Sequence, residues 1–516
     1  MEDRLLAPDA EPPSARPVGG EYGSYNHFLM AIRIPKVIPE LSSAKEALRF
    51  SRSHSPEDQI RVALSDLAML HEIRHFHDCF GTRAGISLFR CHISRITAFL
   101  DVCKKLYEEG RYLKLPIVDW ASTSDCPDYV KVFLRRLAKN VIFESIFSGR
   151  VEFSVTQGPT STIYRNFEAA PGGYIPAFPL QVGTVIVYEG DHPPSDHGTN
   201  THWQAIGFEQ LIEGNAQALQ RTYLEAIWPS ISESVWKMTT SHAVLPDTEF
   251  AEYRDFIRLP YNVTDFLLTK YLSKTHNITA FHRDRLLEIT DRALMFGTCA
   301  QLEKDQMMAQ PGGGFVLTME GADWSRGTKK PVSERKVGVA SLQRILAAYS
   351  KTPKPVPYSG RNMQSSVDYI WSYAIHEIVV PLIKMRIKRG DEIFFDAGEY
   401  MKHYRELPFP PIIFSDSGVK SLHGVETKEL LHHWSKYAIL SDVCRQIWSG
   451  ASFISCARAY NALLGIGRFD LAYAPYECET AIKNRDCLTW DPKFNDPLPQ
   501  CVFRDALMTL RLMPFS

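Results

Sequence analysis

The chain has 516 residues, 45% of them hydrophobic and 23% charged, with 58 basic side chains against 59 acidic ones. That length exceeds what one hydrophobic core fills, so more than one packed unit is expected, and the composition excludes a disordered scaffold or a fibre. A net charge of -1 supplies no long-range field for a phosphate backbone, so nucleic acid is not an expected partner.

In chain order, residues 1–24 are rich in proline and glycine and read as a flexible leader without the apolar stretch of a secretory signal. Phe28 to Ile34 reads as a short strand or buried turn. Ser55-Pro56-Glu57-Asp58 has the form of a helix start, a cap followed by proline and acids, and apolar residues then recur by threes and fours to Phe76. A helix over Ser55–Phe80 follows, with Gly81 as its stop. Ile86–Gly110 and Asp128–Ile146 read as two more helices. Val151–Val155 and Gly183–Tyr188 read as strands, Glu189–Asn200 as a loop, and Thr201–Leu224 as a helix. Beyond Pro229 the pattern is mainly helical, near 263–273, 281–296, 337–349, 365–387, 425–447 and 450–464. Pro311–Gly327, opening on three glycines, reads as a surface loop, and Pro353, Pro355 and Pro357 as a second break.

The expected fold class is α+β, predominantly helical. A metal-binding catalytic domain is expected over 25–240 and a mainly helical domain or extension over 241–516. No apolar run approaches the roughly 18 residues of a membrane-spanning helix, so no membrane partner is expected. The ten cysteines include no CxxC pair and form no dense disulfide scaffold. A cytoplasmic location is the expectation, under which the sequons at Asn262 and Asn277 stay unused.

The segment His71-Glu72-Ile73-Arg74-His75 carries the chemistry. Side chains four apart on a helix share a face, so both imidazoles can meet one ion, and neutral imidazole is a good zinc ligand. Glu72 can then take a proton from water activated by that metal. Asp78, two turns after His71, can hold a ligand histidine through its second ring nitrogen or act as an alternative ligand. His77 reads as structural or exposed, and Arg74 as facing solvent or pairing with an acid. Catalytic zinc takes a third protein ligand. Its best downstream source is the helical stretch after His202, with Glu209 and Glu213 one turn apart on one face.

HExxH followed by a glutamate on a second helix resembles the gluzincin branch of the zincin metallopeptidases. The resemblance implies Zn2+ as cofactor and a Glu-x-x-Ala/Ser-Asp segment whose first residue is the third ligand. Glu213-Gly214-Asn215-Ala216 matches the first four positions, which makes Glu213 the expected ligand and Glu209 the next choice. Gln217 stands where the family commonly has an aspartate. A metzincin pattern matches less well, because Asp78 and Gly81 occupy the places of its glycine and third ligand. The implied activity is peptide-bond hydrolysis, with a peptide or protein substrate and the C-terminal helical part free to meet a protein partner. Another zinc amide hydrolase, a deacylase or deamidase, is the enzymatic alternative. An interaction protein with a structural zinc site is the non-enzymatic one.

An oxyanion donor is also needed. His242, Tyr271 and His282 lie downstream without a spacing rule to choose among them. His192, His197 and His202 read as part of a polar loop. His376-Glu377 lacks a second histidine and reads as a polar pair in a buried helix. His432-His433-Trp434 reads as an ordinary packed helix face.

Overall fold

The computed structural model describes residues 24–33, 55–115, 117–149, 152–153, 160–166, 179–190, 202–235, 283–296, 311–320, 339–356, 363–415, 418–420 and 512–514, with scattered helical positions in 264–272 and 429–444. The first elements are strands β1 (Ser24–Asn26) and β2 (Ala31–Arg33), then helices α1 (Pro56–Gly81) and α2 (Arg83–Glu108). Strand β3 (Leu113–Leu115) and helices α3 (Ile117–Ala121) and α4 (Asp128–Ser148) follow. Four strands come next, β4 (Glu152–Phe153), β5 (Thr160–Asn166), β6 (Pro179–Gly190) and β7 (His202–Ala205). They lead to α5 (Phe208–Ile227), α6 (Arg283–Phe296), α7 (Pro311–Glu320), α8 (Val339–Tyr349) and α9 (Met363–Tyr373). A π-helical turn over Ala374–Val379 continues into α10 (Val380–Arg389), followed by α11 (Glu392–Phe395), α12 (Ala397–His403), β8 (Ile412–Ser415), β9 (Gly418–Lys420) and β10 (Leu512–Pro514). The molecule is predominantly helical, and among the described residues no helix is long and apolar enough to cross a membrane.

The helix start read at Ser55-Pro56 is where α1 begins, with the Gln59 N–H donating to the Ser55 carbonyl at 3.0 Å. Val62, Ala63, Leu67, Leu70, Ile73 and Phe76 are all buried. The N-terminal half of α1 packs on the C-terminal half of α5 through Val62, Ala63 and Leu67 against Leu224 and Trp228. Gln220 on α5 donates to the Leu67 carbonyl at 2.9 Å, and the Tyr223 hydroxyl donates to Asp66 at 3.3 Å. The two helices are therefore antiparallel, and α6 packs on α5. One continuous core takes in Leu29, the buried face of α2 and residues as distant as Tyr437 and Cys444.

The first sheet has the order β1-β2-β8-β9, with β1 and β2 antiparallel, β2 and β8 parallel, and β8 and β9 antiparallel. The turn between β1 and β2 is pinned from the C-terminal part: Trp434 donates through Nε1 to the Leu29 carbonyl at 2.6 Å, and the Tyr437 hydroxyl to the Phe28 carbonyl at 2.7 Å. A second sheet has the order β4-β7-β6-β5, antiparallel throughout.

Two expectations are corrected. Pro311–Glu320 is a helix with Pro311 to Phe315 buried, not a surface loop. Its glycines serve close packing: a Cβ on Gly312 would meet the Ile206 carbonyl oxygen at 2.0 Å, and one on Gly314 would meet Ala293 backbone at 3.2 Å. The expected helix from Thr201 starts instead at Phe208, because His202–Ala205 pairs with β6 as a strand. The helix expected over 365–387 is present, running from α9 into α10 with a widened turn at Ala374–Val379, where the Val380 N–H donates five residues back to the Ile375 carbonyl. Pro381 follows directly; it offers no N–H to the Glu377 carbonyl, and its ring crowds that turn.

The far end of α1 is tied to the later helices by Arg386, which is buried. Its Nε donates to the Gly81 carbonyl at 3.1 Å, and its two terminal nitrogens to Asp291 at 2.9 and 2.6 Å. The guanidinium also lies over the Phe394 ring, 3.8 Å from its centroid.

Candidate metal centre

Every side chain from Leu70 to Thr82 except the backbone-only Gly81 carries atoms that are almost wholly withdrawn from solvent, although seven of these residues are polar. Buried polar groups must find partners, so their pairing shows what this stretch is built to do. Arg74 and Asp78 pair with each other, Nε to Oδ2 at 3.1 Å and a terminal nitrogen to Oδ1 at 3.0 Å. The Arg74 guanidinium also lies 4.9 Å from the Tyr400 ring centroid. His77 Nε2 lies 2.8 Å from the Pro408 carbonyl, so that nitrogen carries the proton, and Nδ1 accepts from the Tyr400 hydroxyl at 2.7 Å. Burial, aided by Arg74, drives the His77 imidazole down to about 3, so it is a neutral structural tie. Thr82 donates to the Asp78 carbonyl at 2.6 Å.

His71 and His75 are directed elsewhere. Their Nε2 atoms lie 3.0 and 3.2 Å from the same oxygen, Oε2 of Glu213 on α5. The three ligand atoms fall within 4.8 Å of one another, and all three residues are buried. Zinc bonds of about 2.1 Å at tetrahedral angles hold ligand atoms about 3.4 Å apart, so this donor set fits the ion. The Nδ1 of His75 is buried without a hydrogen-bond partner among the described residues. His71, His75 and Glu213 form a metal-binding triad arranged as in the gluzincin type of zinc metallopeptidase.

The helix that supplies Glu213 is placed by two local devices. Gln210, in its first turn, reaches back to accept from the Gly207 N–H at 2.9 Å and donates to the Gly149 carbonyl at 3.3 Å. Gly214 admits the neighbouring segment, since a Cβ there would meet Thr264 Oγ1 at 2.0 Å. Glu209 is also buried but lies outside the triad.

Glu72 is 8% exposed and ligates nothing in the triad. Burial raises its carboxyl, the two histidines pull it down, and Glu213 pushes it up again, which puts Glu72 electrostatically beside all three ligands. Asp78 departs from the expectation that it holds a ligand histidine. Its carboxylate is taken by Arg74 and by Asn215, because a guanidinium buried one turn away demands an acid. Burial raises Asp78 and Arg74 lowers it.

Sequence reading passed over Tyr25. Strand β1 lays its ring beside His75, with centroids 6.4 Å apart and an angle of 25° between planes, and edge-on to Phe76. Its hydroxyl is buried beside the Cys79 thiol. Burial, with Cys79 and Glu72 adding to it, holds the phenol well above its ordinary pKa, so it stays a donor. Only its distance upstream of the motif hid it.

Of the other residues singled out, His242, Tyr271, His282, His192, His197 and His432 lie outside the described residues, as does the side chain of His202. His376 is half-buried and bonds the Thr352 carbonyl through Nε2 at 2.7 Å, while Glu377 is exposed, so this pair is not in the core. His433 is buried, stacked on Tyr369 at 4.2 Å and bonded to Ser366.

Charge in the metal-free triad has a measurable consequence. Burial pushes the His75 imidazole down, but the Glu213 carboxylate outweighs it and raises the group to about 9. Burial pushes Glu213 up, but His75 and His71 hold it well below the usual carboxylate range. At pH 7 His75 therefore carries a proton that it must shed to bind a cation. Zinc uptake should release close to one proton per site at pH 7 and almost none above pH 10, measured by calorimetry in buffers of different ionisation enthalpy. Uptake without proton release at pH 7 would show that the pairing is wrong.

Comparison with known proteins returns no matching family model, no matching curated protein and no matching solved structure. The functional reading rests on the geometry of the site.

Proposed function

We propose that this chain is a cytoplasmic zinc-dependent metallopeptidase. The observation that carries the proposal is the triad His71, His75 and Glu213 with a buried, non-ligating acid, Glu72, between the two histidines. Zinc held by these ligands supplies Lewis acidity to water and to a carbonyl oxygen. Glu72 takes the proton of the attacking water on its carboxylate and returns it to the leaving amine. The Tyr25 hydroxyl donates a hydrogen bond to the charge that develops on the carbonyl oxygen. Arg74, Asp78 and His77 keep the helix carrying the ligands in place.

The site residues are only 4–8% exposed. A folded protein surface does not reach such a site, so the substrate is a flexible peptide or an unstructured protein segment. The mainly helical part over 241–516 supplies the wall around α1 and the surface on which a protein partner docks. Five free cysteines among the described residues, four of them buried, support a reducing compartment.

The test is cleavage of a random library of quenched fluorescent peptides by zinc-loaded protein. Cleavage should stop on chelation and return with zinc, and Tyr25→Phe should lower kcat about 10–100-fold with zinc content unchanged. If the zinc-loaded protein leaves every peptide bond intact but releases acyl groups from acyl-lysine peptides, the activity is that of a deacylase with the same residues in the same roles.

A further inference from the structure

We propose that Asn215 is a positioning residue that fixes the rotation of the helix carrying Glu213, and so sets the affinity of the triad for its metal. This rests on the reading of His71, His75 and Glu213 as metal ligands. Asn215 is buried at 0% exposure, two residues after Glu213 on α5. Its Nδ2 donates to Asp78 Oδ2 on α1 at 3.3 Å, and its Oδ1 accepts from the Thr290 hydroxyl on α6. The same Asp78 oxygen accepts from Arg74 Nε at 3.1 Å. One amide therefore joins three helices, two of which bear the ligands.

Apolar packing between α1 and α5 sets their separation but is tolerant of rotation, because hydrophobic contact is not directional. Two residues correspond to about 200° around a helix, so Asn215 holds α5 from a different side than Glu213. A helix with side chains has a radius of roughly 5–6 Å, so turning α5 by about 10° would move the Glu213 carboxylate by about 1 Å. A metal site tolerates about 0.2 Å in its ligand distances. A directional hydrogen bond to a fixed acceptor removes that freedom. Asp78 is such an acceptor, since Arg74 holds its carboxylate from the same helix.

The test uses the full chain and zinc or cobalt alone. The zinc dissociation constant is measured by competition with a chromophoric chelator, ligand geometry by the visible absorption of the cobalt form, and stability by thermal unfolding without metal. Asn215→Asp sets two carboxylates face to face and should weaken zinc binding about 10–100-fold, with a changed cobalt spectrum. Thr290→Val, which alters no residue of α1 or α5, should weaken it about 3–10-fold in a protein that still folds. A purely structural role would lower the unfolding temperature while leaving the dissociation constant and the cobalt spectrum of Asn215→Asp and Thr290→Val at wild-type values, and that result overturns the proposal. Failure of the wild type to take up zinc overturns the metal reading and this inference together, whereas wild-type uptake with indifferent variants overturns this inference alone.

Discussion

Glu72→Gln should keep zinc and the fold while lowering the rate of peptide hydrolysis by about 10²–10⁴-fold, the usual contribution of a positioned general base. The replacement conserves volume, so the packing around a side chain that is only 8% exposed is preserved. It removes a carboxylate that lies beside the triad without being one of its ligands. An amide cannot accept the proton of the attacking water, so the loss falls on kcat and not on KM. The check is steady-state kinetics next to elemental analysis of the same preparation. A variant with full zinc content that retains more than about a tenth of wild-type kcat would remove Glu72 from the mechanism.

Glu213→Ala should lose zinc, with affinity lower by on the order of a thousandfold, or about 4 kcal/mol, whereas Glu209→Ala should keep it. The two acids lie one turn apart on α5 and both are buried, but the ligand cluster includes Glu213, 3.0 and 3.2 Å from the histidine nitrogens, and not Glu209. The same change should destabilise the metal-free protein in a pH-dependent way. His75 is raised to about 9 in the fold by its acid partner, so the stabilisation from that pairing is fully present below about pH 6.5 and disappears as the pH rises through about 9. Glu213 is depressed, so its share is present above about pH 4.5 and lost in acid. The metal-free Glu213→Ala protein should therefore be less stable than wild type by about 1–3 kcal/mol at pH 6, with the difference closing above pH 9. Denaturant unfolding at pH 6 and pH 9.5 on chelated protein measures it. Equal zinc content in Glu213→Ala and wild type would refute the ligand assignment, and zinc lost from Glu209→Ala alone would transfer the role to the neighbouring acid.

The amino-acid sequence by itself determined the helix that holds the motif, since a capped start at Ser55-Pro56 and apolar spacing by threes and fours are local properties of a 3.6-residue period. The same period puts His71 and His75 on one face whatever surrounds them. It also puts Glu209 and Glu213 on one face, so it could not separate them. That choice came from the antiparallel packing of α1 on α5, through pairs such as Gln220 with Leu67, which depends on contacts between residues far apart in the chain. Tertiary structure likewise turned the glycine run after Pro311 into a buried helix, because its glycines answer to the Ile206 carbonyl and to Ala293 and not to their own neighbours in sequence. It brought Tyr25 to His75 through a strand held by Trp434 and Tyr437, and it gave Asp78 to Arg74 and Asn215. Periodicity fixes which side chains of one helix point together; which of them meet across helices is decided by burial, where each polar group must find a partner and the available partners come from elsewhere in the fold.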